Sequence, residues 1–148
     1  MMVDPHKLLL VEDDSNDVEL IQLALQDITL IRTLDVVRDG EEALQYLYGT
    51  ALSRSTRPFP RVIVMDLKLP KRSGVEVLQV IRNHPETRLL PVVVLTSSAE
   101  EQDLYACYNL GVNSYVVKSL QFNQFQELAR QIGQYWMHVN HPLDLLVT

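Results

Sequence analysis

The sequence predicts a single doubly wound α/β domain, a parallel five-stranded sheet covered by helices on both faces. Three observations carry that expectation. Short apolar runs without helical period occur five times, segments with helical spacing separate them, and 148 residues at 47% hydrophobic fill one core but not two. A β–α alternation of this kind calls for parallel strands joined by right-handed crossovers.

The strands are "KLLLV" (7–11), "TLDVV" (33–37), "RVIVM" (61–65), "PVVVL" (91–95) and "SYVV" (114–117). Three of them are apolar almost throughout, as expected for strands buried on both faces. The first helix is read from the stripe Val18, Ile21, Leu25 and Ile28, with Ser15 as its cap and Asp17 and Glu19 in its opening turn, where the macrodipole favours acids. Asp39 opens a second helix carrying Ala43, Leu44 and Leu47. Ser73 opens a third carrying Val77, Leu78 and Ile81. The fourth carries Leu104, Cys107, Tyr108 and Leu110 and stops at Gly111. The fifth is long, with Phe125, Leu128, Ile132, Tyr135 and Val139 expected on one side. The one long connection, "GTALSRSTRPFP" (49–60), reads as a mobile surface loop. The domain is expected to occupy residues 1–139, with 140–148 as a tail.

Composition narrows the function. A net charge of -6 and a pI near 5.1 argue against a nucleic-acid face, which needs surplus Lys and Arg. No stretch approaches the roughly 20 apolar residues of a membrane span, and "KLLLVEDD" is too short and too acidic for a signal peptide. A lone Cys107 excludes an internal disulfide and fits a reducing compartment; its place in a helix reads as packing. The expectation is a soluble cytoplasmic domain. His138 and His141 have no third metal ligand nearby and read as tail residues.

The strand ends carry the chemistry. Ligands of open α/β sheets bind outside the carboxyl ends of the strands, where strand order reverses. For the order 2-1-3-4-5, that crevice lies between strands one and three. Strand one ends in Glu12, Asp13 and Asp14, strand three in Asp66, strand four in Thr96, Ser97 and Ser98, and strand five in Lys118. Carboxylates packed this closely repel unless a cation sits among them. A hard divalent ion with oxygen ligands answers that need, and Mg2+ fits best because it takes one or two carboxylates and keeps waters or phosphate oxygens. A phosphate-binding loop would need glycines and free amides, and "EDDSND" offers acids instead. A carboxylate beside Mg2+ is a competent nucleophile toward phosphorus, giving an acyl phosphate, with Lys118 and Thr96 placed to clamp the phosphoryl oxygens.

At this point four motifs, "LLLVEDD", "VIVMDLKLPKRSG", "VVVLTSS" and "NSYVVK", stand in one order and spacing. Together they make residues 6 to about 138 resemble the receiver domain of bacterial two-component response regulators. The resemblance implies a flavodoxin-like (βα)5 three-layer sandwich. It implies that Asp66 accepts phosphate from a phosphohistidine of a sensor histidine kinase, that Asp13 binds Mg2+ directly and Glu12 through water, and that the backbone carbonyl of Lys68 completes the protein ligands beside Asp66. It further implies that Thr96 closes on the phosphoryl group, that Lys118 pairs with it, and that Tyr115 is the aromatic that swings on activation. Asp14 falls one place past the acidic pair and is at most auxiliary.

Ser119 stands where the family commonly has a proline after a cis bond; before a non-proline residue the cis form costs about 3–4 kcal/mol, so the geometry of the Lys118–Ser119 bond is left open by the sequence. "LGVNSYVVK" and "ARQIGQYWMHVNHP" resemble the small stand-alone regulators of cyanobacterial and other bacterial phytochrome kinases. That subgroup often dimerises through its fourth and fifth helical region. Tyr105, Tyr108, Phe122, Phe125, Tyr135 and Trp136 are the aromatics available there, with Tyr135 and Trp136 leaning toward an interface.

The reading is therefore a phosphoacceptor, not a turnover enzyme, one that assists its own phosphotransfer and autodephosphorylation. Two alternatives stand beside it. One is a receiver-like binding module that works without phosphate. The other is an aspartyl phosphatase of the haloacid-dehalogenase type, which needs a second carboxylate two residues past the nucleophile, where this chain has Lys68.

Overall fold

A computed structural model describes residues 2–143. Five strands alternate with five helices: β1 (Val3–Val11), α1 (Ser15–Leu25), β2 (Thr33–Val37), α2 (Gly40–Tyr48), β3 (Phe59–Met65), α3 (Gly74–Asn83), β4 (Val92–Thr96), α4 (Glu101–Asn109), β5 (Ser114–Val117) and α5 (Phe122–Gln134), the last continuing as a π-helical turn, Tyr135–Val139. The sheet is parallel in the order β2-β1-β3-β4-β5. This is the expected flavodoxin-like topology, with the reversal of strand order between β1 and β3.

The period-two alternation of the buried strands sorts their side chains between two cores. Leu9, Val11, Ile63, Met65, Val92 and Val94 face α2, α3 and α4, where Ala43, Leu47, Val77, Leu78, Ile81 and Cys107 close the layer. Leu8, Leu10, Val62, Val64, Val93 and Leu95 face α1 and α5. Cys107 is fully buried, and burial pushes its thiol up to about 11, in keeping with a packing role.

Several boundaries differ from the sequence reading, each for a local reason. β1 starts four residues early, because Val3 and Asp4 pair with Phe59 and Pro60 ahead of a register shift that absorbs Pro5. The cap of α1 is Asp14, whose side chain accepts from the Asp17 N–H; Ser15 is the first helical residue. Ser73 forms a reciprocal capping box with Glu76 on α3. Gly111, at φ 75°, follows the end of α4. The 49–60 connection folds on itself through a Gly49–Arg54 bridge, and Ser55 donates to the Tyr46 carbonyl.

The buried side of α5 is Phe125, Ala129, Ile132 and Gly133, continued by Trp136 and Met137 in the π turn. Tyr135 and Val139 are exposed. The inward stripe thus lies one position round from the expected one, because Ala129 and Gly133 let α5 approach α1 closely. A methyl on Gly133 would lie 2.6 Å from the Ile28 Cδ1. Two expected interface aromatics are corrected by this packing. Trp136 and Phe125 belong to the core against α1 and are covered by it.

The π turn is clamped to the sheet by Arg61 of β3, which donates to the carbonyls of Trp136 and Asn140 at 3.1 and 3.0 Å. Of the expected tail, residues 144–148 lie outside the described residues.

Candidate functional site

The strand register builds the site. Val11 and Met65 are Cα partners, so β1 and β3 end level and deliver Glu12 and Asp66 side by side. The Asp66 N–H donates to the Val11 carbonyl, and the Glu12 N–H donates to the Val37 carbonyl, both at 3.0 Å. On the other side, Thr96 pairs with Val117, and the Lys118 N–H donates to the Thr96 carbonyl at 2.7 Å. Backbone bonds therefore fix where each of these side chains leaves the sheet.

Three of the expected acids meet. One carboxylate oxygen from each of Glu12, Asp13 and Asp66 lies within 4.8 Å of the other two. Glu12 and Asp66 are buried, whereas Asp13 faces solvent. Three hard oxygen donors, one of them open to water, suit a hard divalent ion that keeps part of its hydration shell. Asp14 stands apart in a capping role.

Lys118 is the counter-charge. Its side chain is only 9% exposed, yet its Nζ donates to Glu12 Oε1 at 2.7 Å, Asp17 Oδ2 at 2.8 Å and Asp66 Oδ2 at 3.0 Å. An ammonium has three N–H groups, and all three are used. Burial pulls its pKa down, but the hydrogen bonds to Asp17 and Glu12 and the charges of Asp66 and Glu12 outweigh that and hold it above the usual lysine range. Glu12 moves the other way relative to its charge. Burial is the largest influence and, with the Asp66 charge, pushes its carboxyl up to about 7 against the hydrogen bond from Lys118. There are no cis peptide bonds among the described residues, so the bond before Ser119 is trans. The Ser119 hydroxyl accepts from the Gln121 N–H and donates to Gln124 at the entrance of α5.

Around this centre, Asp66 Oδ1 accepts from the Leu67 N–H at 2.7 Å, which leaves Oδ2 toward Lys118. Thr96 is fully buried, and its hydroxyl oxygen accepts from the Ser98 N–H at 3.3 Å. The Tyr115 hydroxyl donates to the Ser98 carbonyl at 2.8 Å, and its ring stacks on Tyr108. Ser98 also donates to Asp103 in the first turn of α4. Thr96, Ser98, Tyr115 and α4 are therefore one hydrogen-bonded chain. Lys68, two residues past Asp66, is exposed. Of the remaining expected interface residues, Tyr105, Tyr108 and Tyr135 present 71%, 59% and 47% of their surface to solvent.

In the sequence, Asp17 reads only as a helix-opening acid. Its hold on Lys118 appears once the first turn of α1 is formed, since the partner lies 101 residues away in sequence. The second residue missed is Asp103, which ties α4 to the end of β4.

Known proteins resemble the chain along nearly its whole length. The model of the response regulator receiver domain matches residues 8–130. Response regulator Rcp1 of Synechocystis is 38% identical over 133 residues, 90% of each chain. The Mn(2+)-bound form of Rcp1 superposes with a TM-score of 0.87 at 36% identity, covering 94% of this chain and 99% of that one. The phosphorylated cyanobacterial phytochrome response regulator RcpA gives 0.86 at 36% identity, covering 93% and 97%. A probable methanogenesis regulatory protein, FilR2 of Methanothrix harundinacea, is 38% identical over 137 residues, 93% of this chain and 87% of its own.

Proposed function

The chain belongs to the response regulator receiver domain family, and from that premise we propose that it is a response regulator receiver phosphorylated on Asp66 by the phosphohistidine of a sensor kinase. The observation that carries this reading is the ammonium of Lys118 seated 3.0 Å from Asp66 Oδ2 within a cluster of acids.

The chemistry follows from those groups. Asp66 Oδ2 attacks phosphorus in line. The P–O bond forms as the P–N bond to the donor histidine breaks, and that electron pair stays on the imidazole nitrogen. The product is a mixed carboxylic–phosphoric anhydride. Lys118 turns from the Asp66 oxygen to the arriving phosphoryl oxygens, offsetting charge that would otherwise gather beside Glu12 and Asp13. The Thr96 hydroxyl, which only accepts from Ser98 here, is free to donate to a phosphoryl oxygen. Glu12, Asp13, Asp66 and the Lys68 carbonyl are the groups that would hold Mg2+, which neutralises the charge of acids and phosphate when bound.

The readout runs through Tyr115. When Thr96 turns toward the phosphoryl group, the Ser98 segment that accepts the Tyr115 hydroxyl shifts with it, and the α4–β5 surface carrying Tyr105 and Tyr108 is repositioned. This is the surface, together with Tyr135, on which a second copy or another partner would dock. The likeness to Rcp1 and RcpA supports a kinase of the phytochrome type as the phosphodonor and the cytoplasm as the compartment. No helix among the described residues is long and apolar enough to cross a membrane.

The phosphatase alternative lacks its second carboxylate, because Lys68 occupies that position. The binding-module alternative leaves unexplained why Lys118 is buried among three acids. Labelling with radioactive phosphodonor in Mg2+ tests the reading: the wild type takes up about one phosphate and Asp66→Asn takes up none. Label retained on that variant would identify another acceptor. Light scattering with and without beryllium trifluoride reports the coupled surface, with a rise in mass expected on addition.

A further inference from the structure

We propose that Asp17 is a positioning residue for Lys118, holding the ammonium in place while the metal and the phosphoryl group claim its other two partners. The inference rests on the phosphoacceptor reading above and names a residue that reading does not use.

The geometry separates Asp17 from the other acids. Lys118 has three carboxylate partners, and two of them, Glu12 and Asp66, belong to the group of acids able to share a cation; Asp17 does not. Glu12 and Asp66 therefore change during the reaction. A divalent ion draws on both, and phosphorylation converts the Asp66 carboxylate into an acyl phosphate whose negative charge lies on the phosphoryl oxygens and no longer on the Asp66 carboxyl. The Asp17 carboxylate is the partner that nothing in the reaction consumes.

Both ends of the pair are anchored. The Asp17 N–H is fixed on the capping oxygen of Asp14 at 3.0 Å, and the Lys118 N–H is fixed on the Thr96 carbonyl at 2.7 Å. The Asp17 side chain is 25% exposed, against 2% for Glu12, so it holds the ammonium from the more open side of the site. Without Asp17, Lys118 would lean wholly on Glu12 and Asp66, where it competes with the cation and is poorly placed for phosphoryl oxygens. An acid in the first turn of a helix also interacts with the macrodipole, but that role acts on stability and not on chemistry.

A double-mutant cycle between Asp17→Asn and Lys118→Met tests this, with acetyl phosphate as donor and Mg2+ present. With Lys118 in place, Asp17→Asn slows labelling of Asp66 about ten- to hundred-fold, the range typical of residues that orient a functional group. In the Lys118→Met background the same substitution changes the rate less than about twofold, because its target is gone. Calorimetric Mg2+ binding gives the second readout: Asp17→Asn weakens affinity several-fold with Lys118 present, and by less than about twofold without it. Asp17→Ser, run beside it with circular dichroism to verify folding, gives the same pattern. If the wild type does not label, the phosphoacceptor reading falls and takes this inference with it. If the wild type labels and both Asp17 variants match it, or if Asp17→Asn slows both backgrounds equally, only the positioning role is overturned.

Discussion

Removing the ammonium of Lys118 is the most direct test of how the site is balanced. Lys118→Met keeps an apolar stem of similar length and deletes three hydrogen bonds at 2.7, 2.8 and 3.0 Å. The side chains left behind include Glu12, 2% exposed, and Asp66, 10% exposed, whose negative charges then face each other without a cation. Breaking a buried pair from one side costs about 3–5 kcal/mol, because the abandoned charge stays buried.

That cost can be relieved in two ways, and both give a signature. Protonation of Glu12 is the first. Its carboxyl sits near 7 even with Lys118 present and moves higher without it. The loss of stability is thus fullest at pH 8 and smaller at pH 6. Mg2+ is the second, since a bound cation replaces the missing charge. At about a hundred times its dissociation constant it returns about 2.7 kcal/mol, more than it gives a wild type in which it competes with the ammonium. Urea unfolding followed by circular dichroism at pH 6 and 8, with and without Mg2+, measures all of this. A variant as stable as the wild type at pH 8 without metal, or one that Mg2+ does not restore, would refute the assignment of Lys118 as counter-charge.

Four further outcomes are expected. Mg2+ affinity of the wild type weakens below about pH 7 and approaches tenfold per pH unit, because Glu12 must lose its proton to serve the metal; calorimetry between pH 6 and 8 checks it, and a flat profile contradicts it. Without metal the sign reverses. The folded chain binds a proton that the unfolded chain releases, so this group favours folding below the ordinary glutamate range and its contribution fades as pH rises through about 7. Gly74→Ala places a methyl against the Asp66 carbonyl and 2.7 Å from the Leu67 Cα, so it costs about 1–3 kcal/mol in thermal unfolding and slows labelling by shifting the acceptor strand end. Ser119→Ala removes the hydroxyl that serves Gln121 and Gln124, costing about 1 kcal/mol of stability while the labelling rate stays within about twofold of wild type.

Much of this architecture was legible because its signals are local. Parallel strands buried on both faces leave nearly unbroken apolar runs, as in β1, β3 and β4, while the edge strands β2 and β5 are read from shorter runs. The acids and the lysine stand at the ends of those runs, so topology alone gathers Glu12, Asp66 and Lys118 at one rim. What escaped notice depends on contacts that carry no local trace. Ala129 and Gly133 are weak hydrophobic signals, yet they set which side of α5 meets α1 and draw Trp136 into the core. The first residues of β1 include a proline and a histidine and fall outside the strand expected at 7–11; Val3 and Asp4 are strand because Phe59 and Pro60 pair with them. Asp17 reads as a helix-opening acid until the turn of α1 sets it over Lys118.

The serine after Lys118 brings these points together. A lysine at a strand end has four rotatable bonds and costs about 2 kcal/mol of side-chain entropy to immobilise. The structure supplies that from two sources, neither of which involves residue 119. The β4–β5 ladder fixes the backbone through the Thr96 carbonyl, and three carboxylates from α1, β1 and β3 fix the ammonium. Ser119 is left to start α5 with its hydroxyl. The position of the lysine therefore depends on acids that the phosphoryl group itself will perturb. On the proposed reading, that is a physical route by which arrival of phosphate at Asp66 would change the loop leading into α5, through Lys118 at its start.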